Sequence, residues 1–326
     1  DTTFAGGVAV TGDYSSATSG TSNLRLGVNA GNSIASGGNE NVVVGDEAGT
    51  AITTGDYNVA VGYQALKTED AHGGNVAIGR KALETLNAGQ NAYNTAIGYN
   101  SGRYVTTGTN NTLIGGESGD AITTGGNNTA VGKDALSANT TASNNTAVGY
   151  QAGYSNTTGD RHVALGYSAL KDNTTGYRNN AIGYLALTTN TTGFQNNALG
   201  VNALRYNTTG TNNVAIGHEA GLSVTTGIEN TLIGASAGDA LTDADKNVAV
   251  GTNALTSDTL GSNSVAIGRA ALANQNFTSA TDSFNTAVGA RAGVEVTTGI
   301  QNTLIGGQAG DALTDADFNV AVGTDA

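Results

Sequence analysis

The chain has 326 residues, a net charge of −13 with only 13 Lys and Arg, and 49 glycines, and it contains no proline, cysteine, methionine or tryptophan. Sparse basic residues exclude a phosphate-binding surface for nucleic acid, and the lack of cysteine excludes disulfides and thiolate metal sites. Aromatics at 5% and charged residues at 12% also exclude a core of large side chains, so any interior is thin, lined by small aliphatics with backbone closely apposed.

Length alone suggests two domains, but an unbroken short period overrides that prior and predicts one elongated domain. Residues 1–22 read as a degenerate first rung or cap, with Val8, Ala9, Val10 and Gly12 as a worn repeat. Residues 23–326 read as a continuous β-solenoid. A five-residue phrase, clearest as Asn145, Thr146, Ala147, Val148 and Gly149, recurs eighteen times, and from Gly98 to Gly268 its glycine returns every 17 residues. No apolar run approaches the ~20 residues of a transmembrane helix, so direct membrane insertion is not expected. No secretory leader is visible, and the chain starts at Asp1 and stops at Ala326 within a repeat, which suggests a piece of something longer.

The phrase is short, β-branched, bounded by Asn and Gly, and lacks helical spacing, so it predicts a strand. Asn-Thr-Thr-Gly at 173–176, 190–193 and 207–210 predicts a turn, because Asn and Gly tolerate positive φ. One strand and one turn per repeat make a rung of an all-β, parallel β-roll. At about 4.8 Å per rung, eighteen rungs would span roughly 86 Å.

The residue before the glycine is aliphatic in all eighteen phrases, and the one before that is alanine in thirteen, with Leu113, Leu232 and Leu304 as the main exceptions. Adjacent strand residues face opposite ways, so both faces are apolar. Alanine fits the rung's own interior, which leaves the outer column for sister chains: Val61, Ile78, Ile97, Ile114, Val131, Val148, Leu165, Ile182, Leu199, Ile216, Ile233, Val250 and Ile267. Burying one Val or Ile is worth about 1.5–3 kcal/mol, whereas ordering each backbone residue costs about 1–2 kcal/mol. A lone rung is therefore unstable, and a homotrimer closing three columns around an axis is the simplest symmetric answer. Acidic substitutions at Val131, Val148 and Leu165 are then expected to dissociate the assembly, and those at Thr174 and Thr191 to be tolerated.

These residues carry a resemblance. Asn263, Ser264, Val265, Ala266, Ile267 and Gly268 nearly spell the head repeat of YadA-like trimeric autotransporter adhesins, and Asn145 to Ala152 resembles repeat segments of phage tail fibres. The resemblance spans 23–326 and implies a left-handed parallel β-roll, homotrimeric, extracellular, on a virion appendage or bacterial surface, with a cell-surface glycan or protein as receptor. The adhesin repeat is shorter, typically about 14 residues, and no neck, stalk or anchor is recognisable.

Other features are candidate contacts. The period lengthens by one residue before Gly45, two before Gly98 and four before Gly289, and such insertions project from solenoids as loops, bringing out Tyr93, Phe277 and Phe284. Folding back of the aromatic is the favoured alternative. Tyr150, Tyr167 and Tyr184 share one column, with Tyr63 and Tyr99 elsewhere in it; a stiffening ladder outweighs a sugar-binding strip. Asp239, Asp243, Asp245 and their counterparts Asp311, Asp315 and Asp317 offer oxygens of the kind Ca2+ takes, but in no known calcium-loop spacing, so a solvated acidic turn is favoured. Asn-x-Thr sequons such as 173–175 follow from the composition. His72, His162 and His218 lie in different rungs with no triad or phosphate motif, so no enzyme and no catalytic or cofactor site is expected. The alternatives to a fibre or adhesin are an ice- or surface-binding threonine array and a polysaccharide-depolymerising tailspike with long-range carboxylate pairs.

Overall fold

The computed structural model describes residues 18–326, so the repeat expected around Val8 to Gly12 lies outside the described residues. The fold is a parallel β-solenoid of about eighteen turns, with no helix among the described residues. Two compact units divide it, Asp1–Gly125 and Gly126–Ala326.

In the first unit the strands are β1 (Leu24–Leu26), β2 (Val42–Val44), β3 (Val59–Val61), β4 (Val76–Ile78), β5 (Thr95–Ile97) and β6 (Thr112–Ile114). The second opens with β7 (Thr129–Val131), β8 (Thr146–Val148), β9 (Val163–Leu165), β10 (Asn180–Ile182), β11 (Asn197–Leu199), β12 (Val214–Ile216), β13 (Thr231–Ile233) and β14 (Val248–Val250). It continues with β15 (Gly261–Ser262), β16 (Val265–Ile267), β17 (Thr281–Asp282), β18 (Thr286–Val288), β19 (Thr303–Ile305) and β20 (Val320–Val322). Within each unit the three-residue strands pair in parallel with those of the next turn at matching positions: Ala60 lies opposite Ala77, and Ala147 opposite Ala164. β15 and β17 form a separate pair that frames the longest insertion.

Glycine ends each strand for a steric reason. At Gly149 φ is +135°, and a Cβ would sit 2.4 Å from the carbonyl oxygen of Gly166 in the next turn. No side chain fits there, so the phrase stops after three residues.

The opening asparagine is buried and forms a ladder. Asn145 accepts the His162 N–H on Oδ1 at 2.8 Å and donates through Nδ2 to the Gly159 carbonyl at 3.0 Å, while its own N–H goes to Asn128 Oδ1 at 3.0 Å. The same pattern links Asn41 to Asn58 in the first unit and Asn196 to Asn213 in the second. Backbone groups that the short strands leave unpaired are thereby satisfied inside the coil.

The rest of the core is filled by a compensating set of side chains. After each buried alanine of the second half-turn comes a left-handed position held by Leu or Gly, for example Leu170 (φ 53°) or Gly221 (φ +59°). Beside most of the glycines the residue three places on is aliphatic: Ile34 after Gly31, Ile52 after Gly49, Val224 after Gly221 and Leu241 after Gly238. Beside most of the leucines it is polar, as in Asn139, Asn173 and Asn190. Where two successive turns both carry glycine, the strand between them replaces alanine by a larger residue, at Val43, Leu113, Leu232 and Leu304. A Cβ on Gly221 would meet Leu232 Cδ1 at 2.7 Å, so the larger strand residue occupies the space the glycine leaves. Interior volume is thus conserved from turn to turn although its source changes.

Candidate functional site

In a three-residue strand the central side chain points opposite to its neighbours. Ala147 is buried, so Thr146 and Val148 face outward, and this holds along both units. In the first unit Val61, Ile78, Ile97 and Ile114 stand at the surface of the single chain. The second unit places Val131, Val148, Leu165, Ile182, Leu199, Ile216, Ile233, Val250 and Ile267 there. Ile78, Ile114, Val148, Ile182, Leu199, Ile216 and Ile267 are exposed, from 36% at Ile182 to 46% at Leu199, and Val61, Ile97, Val131, Leu165, Ile233 and Val250 are half-buried. The alanine lies inward and the aliphatic outward, as the alternation predicts, and no other element among the described residues packs over the outer column.

The tyrosines form the ladder that their spacing predicts. Tyr150 and Tyr167 stack with ring centroids 5.4 Å apart, and Tyr167 and Tyr184 at 5.3 Å. Lys133 lies 5.9 Å from the Tyr150 ring, and in the first unit Arg80 sits between Tyr63 and Tyr99, 5.8 and 5.3 Å from their centroids. These contacts occupy ring faces, and Arg80 also donates to the Tyr99 hydroxyl at 3.3 Å, which suits stiffening better than flat stacking of a sugar. Tyr177 and Phe194 form a second stack at 4.9 Å that the sequence reading missed; its signal is the residue following Thr-Thr-Gly.

Several expectations need correcting. Phe277 is not a surface contact but takes the favoured folded-back alternative: it is 5% exposed, packed over Gly261, where a Cβ would lie 2.6 Å from its ring. Burying that ring removes apolar area from water and closes the insertion over its neighbour turn. Phe284 and Tyr93 do face solvent. The Asn-Thr-Thr-Gly segments are not positive-φ turns, since neither Asn173 nor Gly176 has a left-handed φ. Asn173 is buried and donates to Asn156 Oδ1 at 2.9 Å, and Gly176 is required because a Cβ would strike the Gly193 carbonyl oxygen at 2.1 Å. Thr174 and Thr191 are engaged as well, their hydroxyls donating to the carbonyls of Thr191 and Thr208 at 3.0 Å each. Only the second threonines, such as Thr175 and Thr192, are exposed.

The aspartates considered for calcium do not converge. Asp239 accepts from the Thr256 hydroxyl at 2.5 Å, Asp243 from the Thr226 hydroxyl, and Asp245 from the Ile228 N–H at 2.7 Å. Asp317 likewise accepts from the Ile300 N–H at 2.8 Å and Asp315 from the Thr314 hydroxyl at 3.2 Å, while Asp311 joins no cluster. Asp239, Asp243, Asp245 and Asp317 each bind a neighbouring turn separately, and among the described residues the one set of three His or acidic groups within mutual reach is Glu69, Asp70 and His72.

The histidines occupy three unlike settings. His162 replaces the ladder asparagine, accepts the Asn179 N–H on Nδ1 at 3.2 Å, and is pushed down to a pKa of about 4 by burial. His218 is exposed beside Glu219, with 3.7 Å between them. His72 faces the buried carboxylate of Glu69, which burial holds above the usual carboxylate range. Comparison with known protein families and with curated proteins finds no match.

Proposed function

We propose that this chain is a structural segment of a trimeric extracellular fibre or adhesin, of the phage tail-fibre or bacterial surface type, whose turns carry receptor-facing side chains at fixed intervals. The observation that supports this reading is the outward aliphatic column, repeated turn after turn and left uncovered by the described residues.

The period of the column selects its partner. Side chains recurring at the strand spacing of about 4.8 Å match only a surface with the same spacing, and further copies of this chain have it. Three copies around one axis bury every column once and leave no open apolar edge, the closed arrangement that limits further growth. The residues left outside, including the Tyr150 to Tyr184 stack and Phe284, are then displayed three times over, so weak receptor contacts add through avidity.

Sedimentation equilibrium at micromolar concentration tests the assembly. Three times the 32.3 kDa of one chain is the expected mass. A mass of one or two chains would reject it.

A further inference from the structure

Glu69 is fully buried in a column where adjoining turns place Ile52 and Leu86. Its Oε2 receives a long N–H contact from Ala88 at 3.4 Å, the His72 backbone N–H also approaches the carboxylate, and its Oε1 has no well-formed hydrogen bond. Three residues on, His72 stands in the column held by Gly55 in the preceding turn, and its buried Nδ1 is also without a partner. The two atoms face each other across 3.4 Å, and Asp70 Oδ1, which also accepts the Ala71 N–H at 2.5 Å, lies 4.0 Å from the same nitrogen.

Such a constellation is costly as it stands. A buried carboxylate reached only by the long Ala88 contact and the His72 backbone N–H loses more hydration than it regains, while the imidazole nitrogen opposite forms no well-aligned bond to it. The Glu69–His72 separation fits an intervening ion, since donors about 2.0–2.1 Å from a tetrahedral zinc lie about 3.3–3.4 Å apart; Asp70, at 4.0 Å and with an exposed side chain, completes the set by a small side-chain rotation. One imidazole nitrogen and two carboxylates form a mixed donor set that suits zinc-class ions, whereas calcium and magnesium take all-oxygen shells.

We infer that Glu69, Asp70 and His72 form a binding site for one divalent transition-metal ion of the zinc class, with remaining positions open to water. Bound there, the ion ties the 69–72 segment to the coil interior. It also satisfies both facing atoms and adds stability by binding only the folded chain. This site is separate from the aspartates Asp239, Asp243 and Asp245 and independent of the assembly proposed above.

The test uses the full chain stripped with a chelator and titrated with Zn2+ by calorimetry, with Co2+ absorption reporting coordination geometry. His72→Gly and Glu69→Leu introduce residue types that neighbouring turns already carry at these columns, and circular dichroism checks that each variant keeps its β-structure. One Zn2+ per chain at micromolar or tighter affinity is expected, with a tetrahedral Co2+ band, a rise in Tm on Zn2+ addition, and binding at least about tenfold weaker in either variant. No uptake of Zn2+ by the parent chain would overturn the site. So would uptake undiminished in both variants, or Ca2+ bound as tightly as Zn2+.

Discussion

Asn145 shows how a single polar side chain maintains a coil whose strands are only three residues long. It uses both amide ends inside the coil, and the next turn's residue donates its N–H to it. His162 occupies that next step and performs the backbone half of the task with an imidazole. The exchange introduces a titration. The pKa of His162 is lowered by burial to about 4 from 6.5, so the unfolded chain binds the proton more tightly, and stability is complete above about pH 6.5 and lost as pH falls toward 4. The gap is worth roughly 3 kcal/mol. In urea titrations from pH 7.5 to 4, His162→Asn should keep the parent's stability at neutral pH and lose this part of the acid dependence; an unchanged slope would show that His162 is solvated. Asparagine recurrence was legible in the sequence, but its work was not. The same letter serves in an exposed turn and in a buried ladder, and only the carbonyl of another turn, as between Asn173 and Asn156, distinguishes the two.

At the scale of one turn, the strand was readable and the return path was not. Alternation placed Ala147 inward and Val148 outward because a period of two is a local property. Left-handed leucines such as Leu170 and Leu187 (φ 53° and 52°) go against local preference, and packing against successive turns holds them there. The exchange between Leu232 and its flanking glycines gives a test. Leu232→Ala should cost about 2–5 kcal/mol through the cavity it leaves. Gly238→Leu alone should also destabilise, since its Cβ would meet Leu232 Cδ2 at 2.7 Å and Leu241 Cδ1 at 2.8 Å. Combined, the two changes should cost less than their sum, because the new leucine fills the vacated space, as Leu255 does one turn later. Additive losses in thermal unfolding would mean that the two positions do not share one space.

At the scale of the molecule, the sequence indicated two apolar faces, and the structure leaves one of them open to water. The shared spacing of that face is the reason to expect copies of this chain as its partners, and substitutions can separate this role from any effect on the single coil. Val131, Val148 and Leu165 point outward from β7, β8 and β9, so a carboxylate there meets solvent in a lone chain but apolar neighbours in an assembly. Replacing all three by Asp should therefore preserve the circular dichroism spectrum and reduce the sedimentation mass to that of one chain, because unpaired charges in an apolar interface cost several kcal/mol and symmetry repeats them in every copy. Thr175 and Thr192 are the appropriate controls: they are exposed, whereas Thr174 and Thr191 donate hydroxyl bonds to the next turn. Thr175→Asp with Thr192→Asp should leave the mass unchanged. If both sets dissociate the assembly, or neither does, the outward column is not the contact face.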